Sequence, residues 1–150
     1  MVATNIDLIP SAKDCLKKLA LAEAEEADKE AKSRAKAEAE KKALIEQLRK
    51  PSGVSEDEGV RRAVAIIDRA VRAGKSEVLV YRFPNTLCTD KGRAINQQEK
   101  GWETTLTGVP KEIYDLWYKN FRDRGYRLRV EIVDFPGGYP GDVGMTLSWE

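Results

Sequence analysis

The sequence predicts an α+β protein in which a long amino-terminal helix precedes a small three-stranded mixed sheet with helices on one face. Three observations support this prediction: a long run rich in Ala, Glu and Lys, a densely apolar strand at 77–84, and two alternating apolar segments near the carboxyl end. The composition changes abruptly at Pro51, because every aromatic residue and every glycine follows it. We therefore expect a helical arm over residues 1–50 and a compact domain over residues 54–150.

The arm is predicted to be one continuous helix from Ser11 to Lys50. Ser11 is a candidate N-cap with Asp14 three residues later, and Pro51 ends the pattern because helical geometry is disfavoured before a proline. Acid–base pairs at i, i+4 spacing would stabilise this helix in water. The predicted pairs are Glu25–Lys29, Asp28–Lys32, Glu30–Arg34 and Glu38–Lys42.

Apolar residues cluster at the two ends of the arm, with an alanine stripe between them. We predict that these end residues bind a partner: Leu16, Leu19, Leu44, Ile45 and Leu48. Three alternatives stay open, namely a solvated arm, a coiled-coil-like helix pair and a helix bound to a membrane surface. We favour the helix pair, because the leucines need burial and alanines allow two helices to approach closely. The mixed polar face argues against a membrane.

The compact domain is predicted to contain two further long helices. Ser55 caps a helix over residues 57–73, and Pro110 begins another that ends before Gly125. A short helix is expected within residues 90–98. The strands are predicted at residues 77–84, 126–135 and 143–149.

The first strand is predicted to be the central one, because both of its faces carry apolar side chains. Strict alternation places Leu79, Tyr81 and Phe83 on one face and Val78 and Val80 on the other. A helix joins the first strand to the second, so we expect these two strands to pair in parallel through a crossover. The second and third strands are predicted to form an antiparallel hairpin.

The sheet face without helices is a second candidate surface for a partner. It is predicted to carry Val78, Val80, Arg82, Arg127, Arg129 and Phe135. A mixture of apolar and charged side chains is typical of a partner-binding or self-associating surface. Single-stranded nucleic acid is disfavoured, because Phe135 is the sole aromatic residue on this face and Glu131 lies among the arginines.

The loop after the first strand is the best candidate for chemistry. It contains Cys88, with Lys91 and Arg93 close enough in sequence to lower the pKa of the thiol. Asp90, Arg93 and Asn96 make the same segment polar, so a ligand or partner loop is a second use that the sequence leaves open. An inert, partly buried Cys88 is the interpretation that we favour over a reactive thiol.

Composition limits the chemistry further. The chain of 150 residues has 26 Lys and Arg against 25 Asp and Glu, so its net charge of +1 provides no overall attraction to nucleic acid or anionic lipid. Histidine is absent, which removes the commonest general base and metal ligand. Cys15 and Cys88 are too few and too far apart for a disulfide framework or a zinc site. We therefore expect no metal and no cofactor.

The sequence favours a non-catalytic interaction or assembly protein of the cytoplasm. It shows neither a signal-peptide pattern nor the roughly 20 consecutive apolar residues that cross a bilayer. We expect a homo-oligomer or a protein partner, bound through the arm and the open sheet face. The alternative is a small ligand-binding or enzymatic domain that uses the Asn85–Arg93 loop. No residue is predicted to be catalytic.

Overall fold

The structure is a computed structural model that describes residues 8–150. Its helices are α1 (Ala12–Arg49), α2 (Glu56–Arg72), α3 (Arg93–Asn96) and α4 (Gly108–Asn120). Its strands are β1 (Glu77–Phe83), β2 (Arg127–Ile132) and β3 (Val143–Ser148). The contacts divide the chain into two compact units between Ala43 and Leu44, so the last turns of α1 belong to the unit that contains the sheet. The predicted α+β class and the long amino-terminal helix are confirmed.

Helix α1 has the boundaries that its capping residues predict. It is continuous over 38 residues, and the hydroxyl of Ser11 accepts a hydrogen bond from the backbone N–H of Asp14 at 3.1 Å. It ends at Arg49, because Pro51 excludes helical geometry from the residue before it. Helix α2 begins in the same way, since the hydroxyl of Ser55 accepts a hydrogen bond from the N–H of Glu58 at 3.2 Å.

The sheet is antiparallel throughout, in the order β1-β3-β2. In β3, Val143 lies opposite Phe83 of β1 on one side and Ile132 of β2 on the other. The predicted parallel pairing of the first and second strands is therefore wrong. These two strands do run in the same direction, but β3 lies between them. The predicted antiparallel hairpin of the second and third strands is confirmed.

The central strand is β3, because its residues are apolar on one face and small on the other. Met145 and Leu147 lie against the helices, whereas Gly144 and Thr146 face the uncovered side and need little room. The prediction that the first strand is central is wrong. β1 is an edge strand, and Glu77 at its start is exposed.

A β-bulge between Leu79 and Tyr81 shifts the register of β1. Leu79 lies opposite Thr146 on the uncovered face, whereas Tyr81 packs against the core on the covered face. One extra residue in a strand moves every later side chain to the other face. The predicted placement of Val78 and Val80 on the uncovered face is therefore wrong, because both pack against buried core residues.

The core lies between the sheet and the helices in two adjoining clusters. The larger cluster consists of Ile45, Phe83, Leu87, Cys88, Ile95, Leu106, Val143 and Met145. The smaller cluster consists of Ile67, Phe121 and Leu147. The core-facing residues of β1, β2 and β3 all lie on one side of the sheet, so the helices cover one face, as predicted.

Candidate interaction surface

The first part of α1 is exposed along its whole length. Every residue from Ala12 to Leu44 is exposed, and Leu16, Leu19 and Leu44 expose 66%, 56% and 50% of their surface. Full burial of a leucine side chain contributes roughly 1.5–3 kcal/mol relative to exposure. Burial of these leucines against another molecule would therefore be favourable.

The exposed leucines share one side of α1 with a set of charged residues. Positions that recur every three or four residues lie on one side of an α-helix, because the helix has 3.6 residues per turn. The positions that follow this spacing from the first leucine are Leu16, Leu19, Glu23, Glu26, Glu30, Arg34, Ala37, Lys41 and Leu44. We call this set the leucine–charge face. Its charges are acidic in the amino-terminal half and basic in the carboxyl-terminal half.

An alanine stripe borders the leucine–charge face. It includes Ala20, Ala24, Ala27 and Ala31, which follow the same helical spacing about one residue further round the helix. Methyl side chains leave the helix backbone accessible, so a second helix can approach closely along this border. The stripe would allow close packing with a helical partner, whereas the leucines and charges beside it would supply the attraction.

The charges on the leucine–charge face are not paired along the helix. Of the four predicted i, i+4 pairs, the structure forms Asp28–Lys32, at 3.0 Å and on the opposite side of α1. The Nε of Arg34 approaches the backbone carbonyl of Glu30 at 3.5 Å rather than its carboxylate. Within residues 8–150, the ion pairs of α1 are Asp28–Lys32 and Glu46–Arg49. The charges of the leucine–charge face are thus available to another molecule.

The carboxyl-terminal turns of α1 contribute to the core instead. Ile45 is only 8% exposed, and Leu48 is half-buried against the larger core cluster. The guanidinium of Arg49 donates a hydrogen bond to the backbone carbonyl of Thr86 at 3.1 Å. The structure thus covers Ile45 and Leu48 within their own chain, while the other predicted partner-binding residues of the arm stay exposed.

The uncovered face of the sheet carries a network of ion pairs. Arg82 contacts Asp134 at 3.2 Å and Asp142 at 3.0 Å. Arg129 contacts Glu77 at 3.0 Å and Glu131 at 3.2 Å. Two of the arginines predicted for this surface are therefore neutralised by acidic neighbours of the same chain.

Apolar side chains also lie on the uncovered face. Leu79 is 51% exposed and Val133 is 39% exposed, and both lie beside Gly144 of the central strand. Arg127 is exposed at the start of β2, and Phe135 is 53% exposed beyond its end. The surface is mixed, as predicted, but it gives no sign of the chemistry of a partner.

The loop that follows β1 uses its polar groups to build local structure. The carboxylate of Asp90 accepts hydrogen bonds from two backbone N–H groups at the start of α3, at 3.0 and 2.9 Å. Arg93 forms an ion pair with Glu99 at 2.7 Å, and Asn96 is exposed at the end of α3. Asp90 and Arg93 therefore already have partners within the chain, which weakens the case for a ligand site in this loop.

Cys88 is buried rather than reactive. It is 3% exposed, and burial raises the pKa of its thiol to about 11, with the charge of Asp90 acting in the same direction and a hydrogen bond with Thr105 opposing it. The prediction that Lys91 and Arg93 lower this pKa is wrong, because desolvation outweighs distant charges. A thiol attacks as its thiolate, so Cys88 is a poor nucleophile.

A cavity that the sequence does not predict lies between α2 and α4, above the sheet. Its volume is about 650 Å³, and its walls include Ile66, Tyr81 and Leu116. Two of the charged groups that line it pair with each other, since Glu56 contacts Lys119 at 3.3 Å. The cavity depends on how two helices pack over β1, so no local sequence pattern reveals it. Its lining does not select a particular ligand chemistry.

The described residues contain neither a metal-binding cluster nor a membrane-spanning helix. Among the described residues, no group of three or more His, Cys, Asp and Glu side chains is arranged to hold a metal ion. In the part of the chain that the structure covers, no helix combines the length and apolar character needed to span a membrane. No family model, curated protein or solved structure matches the chain.

Proposed function

We propose that this protein is a non-catalytic assembly protein whose helix α1 binds a second helix, that of another copy of the same chain. The observation that carries the proposal is the exposure of Leu16, Leu19 and Leu44 on a single side of α1. Charges on the same side lack ion-pair partners within residues 8–150. A helix pair would cover the leucines and supply opposite charges at the same time.

The free energy gained by burying the leucines is of the same order as the cost of association. Covering the exposed part of three leucines on each of two helices contributes on the order of 6–10 kcal/mol. Association costs roughly 4–15 kcal/mol in lost translational and rotational freedom. Close packing along the alanine stripe and charge pairing decide the balance. The leucines alone allow a net gain of at most about 6 kcal/mol, so we expect a dissociation constant of tens of micromolar or weaker.

The uncovered sheet face has a weaker claim to the same role. Its apolar residues Leu79 and Val133 are exposed, but Arg82 and Arg129 already contact carboxylates of their own sheet. A partner on this face would therefore meet arginines whose charges are already neutralised. The proposal therefore assigns self-association to α1.

Light scattering on the full chain tests the proposal. We expect the wild-type mass to rise from monomer to dimer across the micromolar range and the double variant L16E/L19E to stay monomeric. The matched control is L21E, because Leu21 is also 64% exposed but lies on the opposite side of α1. Far-ultraviolet circular dichroism checks that each variant keeps its helix. A wild-type chain that is monomeric at high micromolar concentration would contradict the proposal, as would equal disruption by L21E.

A further inference from the structure

We propose that the two α1 helices pair antiparallel, with Glu23 of one copy level with Lys41 of the other and Glu30 level with Arg34. The inference rests on the proposed self-association of α1 and specifies its partner, orientation and register. It is carried by the order of charges along the leucine–charge face, together with the absence of ion pairs for these four residues within residues 8–150.

The order of charges opposes a parallel pair in register. In that arrangement each position faces its own copy, so Glu23 meets Glu23, Glu30 meets Glu30, and Arg34 and Lys41 meet their own copies. Like charges that face each other across a helix pair oppose its formation and set the orientation of the helices. Reversing one helix brings the acidic half of each copy beside the basic half of the other.

One register satisfies both charge pairs at once. Glu23 and Lys41 are placed symmetrically about Lys32, and so are Glu30 and Arg34. A two-fold axis near Lys32 therefore forms both pairs, and the symmetry of a dimer forms each of them twice. Because the two charge pairs share one midpoint, they define a single register.

The same register brings the apolar ends of the helices together. Leu19 of one copy comes level with residue 45 of the other, which places it beside the exposed Leu44. Leu16 comes level with Leu48 of the other copy, which packs against its own chain's core, so the apolar contact of this register is the one between Leu19 and Leu44. Leu19 at the start of one helix thus meets the exposed Leu44 near the end of the other, although Ile45 itself is covered by its own chain.

Charge reversal tests the electrostatic part of the inference. In E23K/E30K every pair becomes repulsive, so we expect the dimer dissociation constant to rise at least about tenfold. The fourfold variant E23K/E30K/R34E/K41E reverses the four paired charges and keeps the antiparallel pairs, so we expect it to dimerise as the wild type does. An E23K/E30K chain that binds as tightly as the wild type, or a fourfold variant that does not recover, would overturn the inference.

Disulfide crosslinking between two differently sized chains tests the orientation. One chain is a tagged C15S/E23C variant and the other an untagged C15S/K41C variant; the remaining Cys88 is buried. On mild oxidation we expect the mixed disulfide between positions 23 and 41. Positions 23 and 41 are about 27 Å apart along one helix, so an antiparallel pair cannot link position 23 to itself.

The other outcomes separate this inference from the proposed function. Disulfides that join like positions, with little mixed product, would indicate a parallel pair; self-association would then stand and the antiparallel register would be wrong. No crosslink above the level of random collision, together with a monomeric mass by light scattering, would overturn both.

Discussion

Gly108 at the start of α4 packs directly on the backbone of Leu48 near the end of α1. A Cβ built at position 108 would overlap the carbonyl oxygen of Leu48 and stand 2.7 Å from the Cα of Arg49. Gly108 also has φ +62°, which disfavours other residues. This contact anchors the last turns of α1 to the sheet-containing unit, because backbone atoms cannot move aside as a flexible side chain can.

Gly108→Ala is therefore expected to destabilise the protein strongly. Strain at a positive φ costs roughly 1–3 kcal/mol, and the backbone overlap adds roughly 1–3 kcal/mol. The matched control is Gly74→Ala, because Gly74 has φ +76° but no atom within 4 Å of an added Cβ. Denaturant unfolding measures both. Equal losses in the two variants would show that the contact with Leu48 contributes nothing.

Leu44 and Ile45 are adjacent in α1, and truncating them to alanine is expected to lower the free energy of unfolding by very different amounts. Ile45 is 8% exposed and Leu44 is 50% exposed. Ile45→Ala should lower the free energy of unfolding by about 2–4 kcal/mol, since it leaves a cavity in the core. Leu44→Ala should lower it by less than about 1 kcal/mol under conditions where the chain is monomeric, but it should weaken the dimer. Urea unfolding at low protein concentration separates the two effects, and similar stability losses would contradict the assignment.

The two thiols are expected to differ sharply in reactivity. Cys15 is exposed and Cys88 is buried, and burial raises the pKa of Cys88 to about 11. A thiol-specific colorimetric reagent near pH 8 should therefore modify Cys15 rapidly in the native chain and Cys88 only after denaturation. The C15S variant identifies the slow thiol. Rapid modification of native C15S would contradict the burial of Cys88.

Ionisation of Cys88 is expected to weaken the fold in alkali. The thiol pKa rises from 9.0 to about 11 on folding, so the unfolded state loses this proton first as the pH increases. The stabilising difference is complete below pH 9 and is lost as the pH rises through about 11, by roughly 2–3 kcal/mol. Burial also raises the pKa of Tyr81, so Tyr81 makes its own contribution to the fall of the free energy of unfolding with pH.

The variant Cys88→Ala isolates the contribution of this thiol. The variant keeps the contribution of Tyr81 to the pH dependence. Its free energy of unfolding should nevertheless fall less steeply between pH 9 and pH 11, whatever its stability at neutral pH. Equal slopes in the wild type and the variant would mean that the thiol has the same pKa in both states.

The elements of the fold were predictable where the signals are local, and the strand order was not. Ser11 and Pro51 define α1 because capping and proline geometry act within a few residues. The order β1-β3-β2 depends on which strand tolerates neighbours on both sides. β3 tolerates a neighbour on each side because Gly144 leaves room for the side chains of Val133 and Leu79. These three residues lie in segments that are far apart in sequence, so no local pattern predicts the contact. The bulge in β1 likewise has no local sequence mark.

The candidate surface was predictable in part. Leu16, Leu19 and Leu44 carry the same apolar signal as Ile45 and Leu48, and only packing separates the exposed residues from the covered ones. The order of charges along the leucine–charge face is present in the sequence, but it becomes visible only when residues are grouped by side of the helix. The cavity between α2 and α4 and the burial of Cys88 are tertiary properties.

The distance between the two copies of Cys15 in the assembled protein tests the antiparallel pair most directly. Cys15 is exposed and Cys88 is buried, so a spin label attached to the native full chain reports position 15 alone. In the proposed register Cys15 lies level with Arg49 of the second copy, so pulsed electron paramagnetic resonance should give a separation of about 50 Å. A separation below about 20 Å would show a parallel pair, and no dipolar signal at high micromolar concentration would show that α1 does not self-associate.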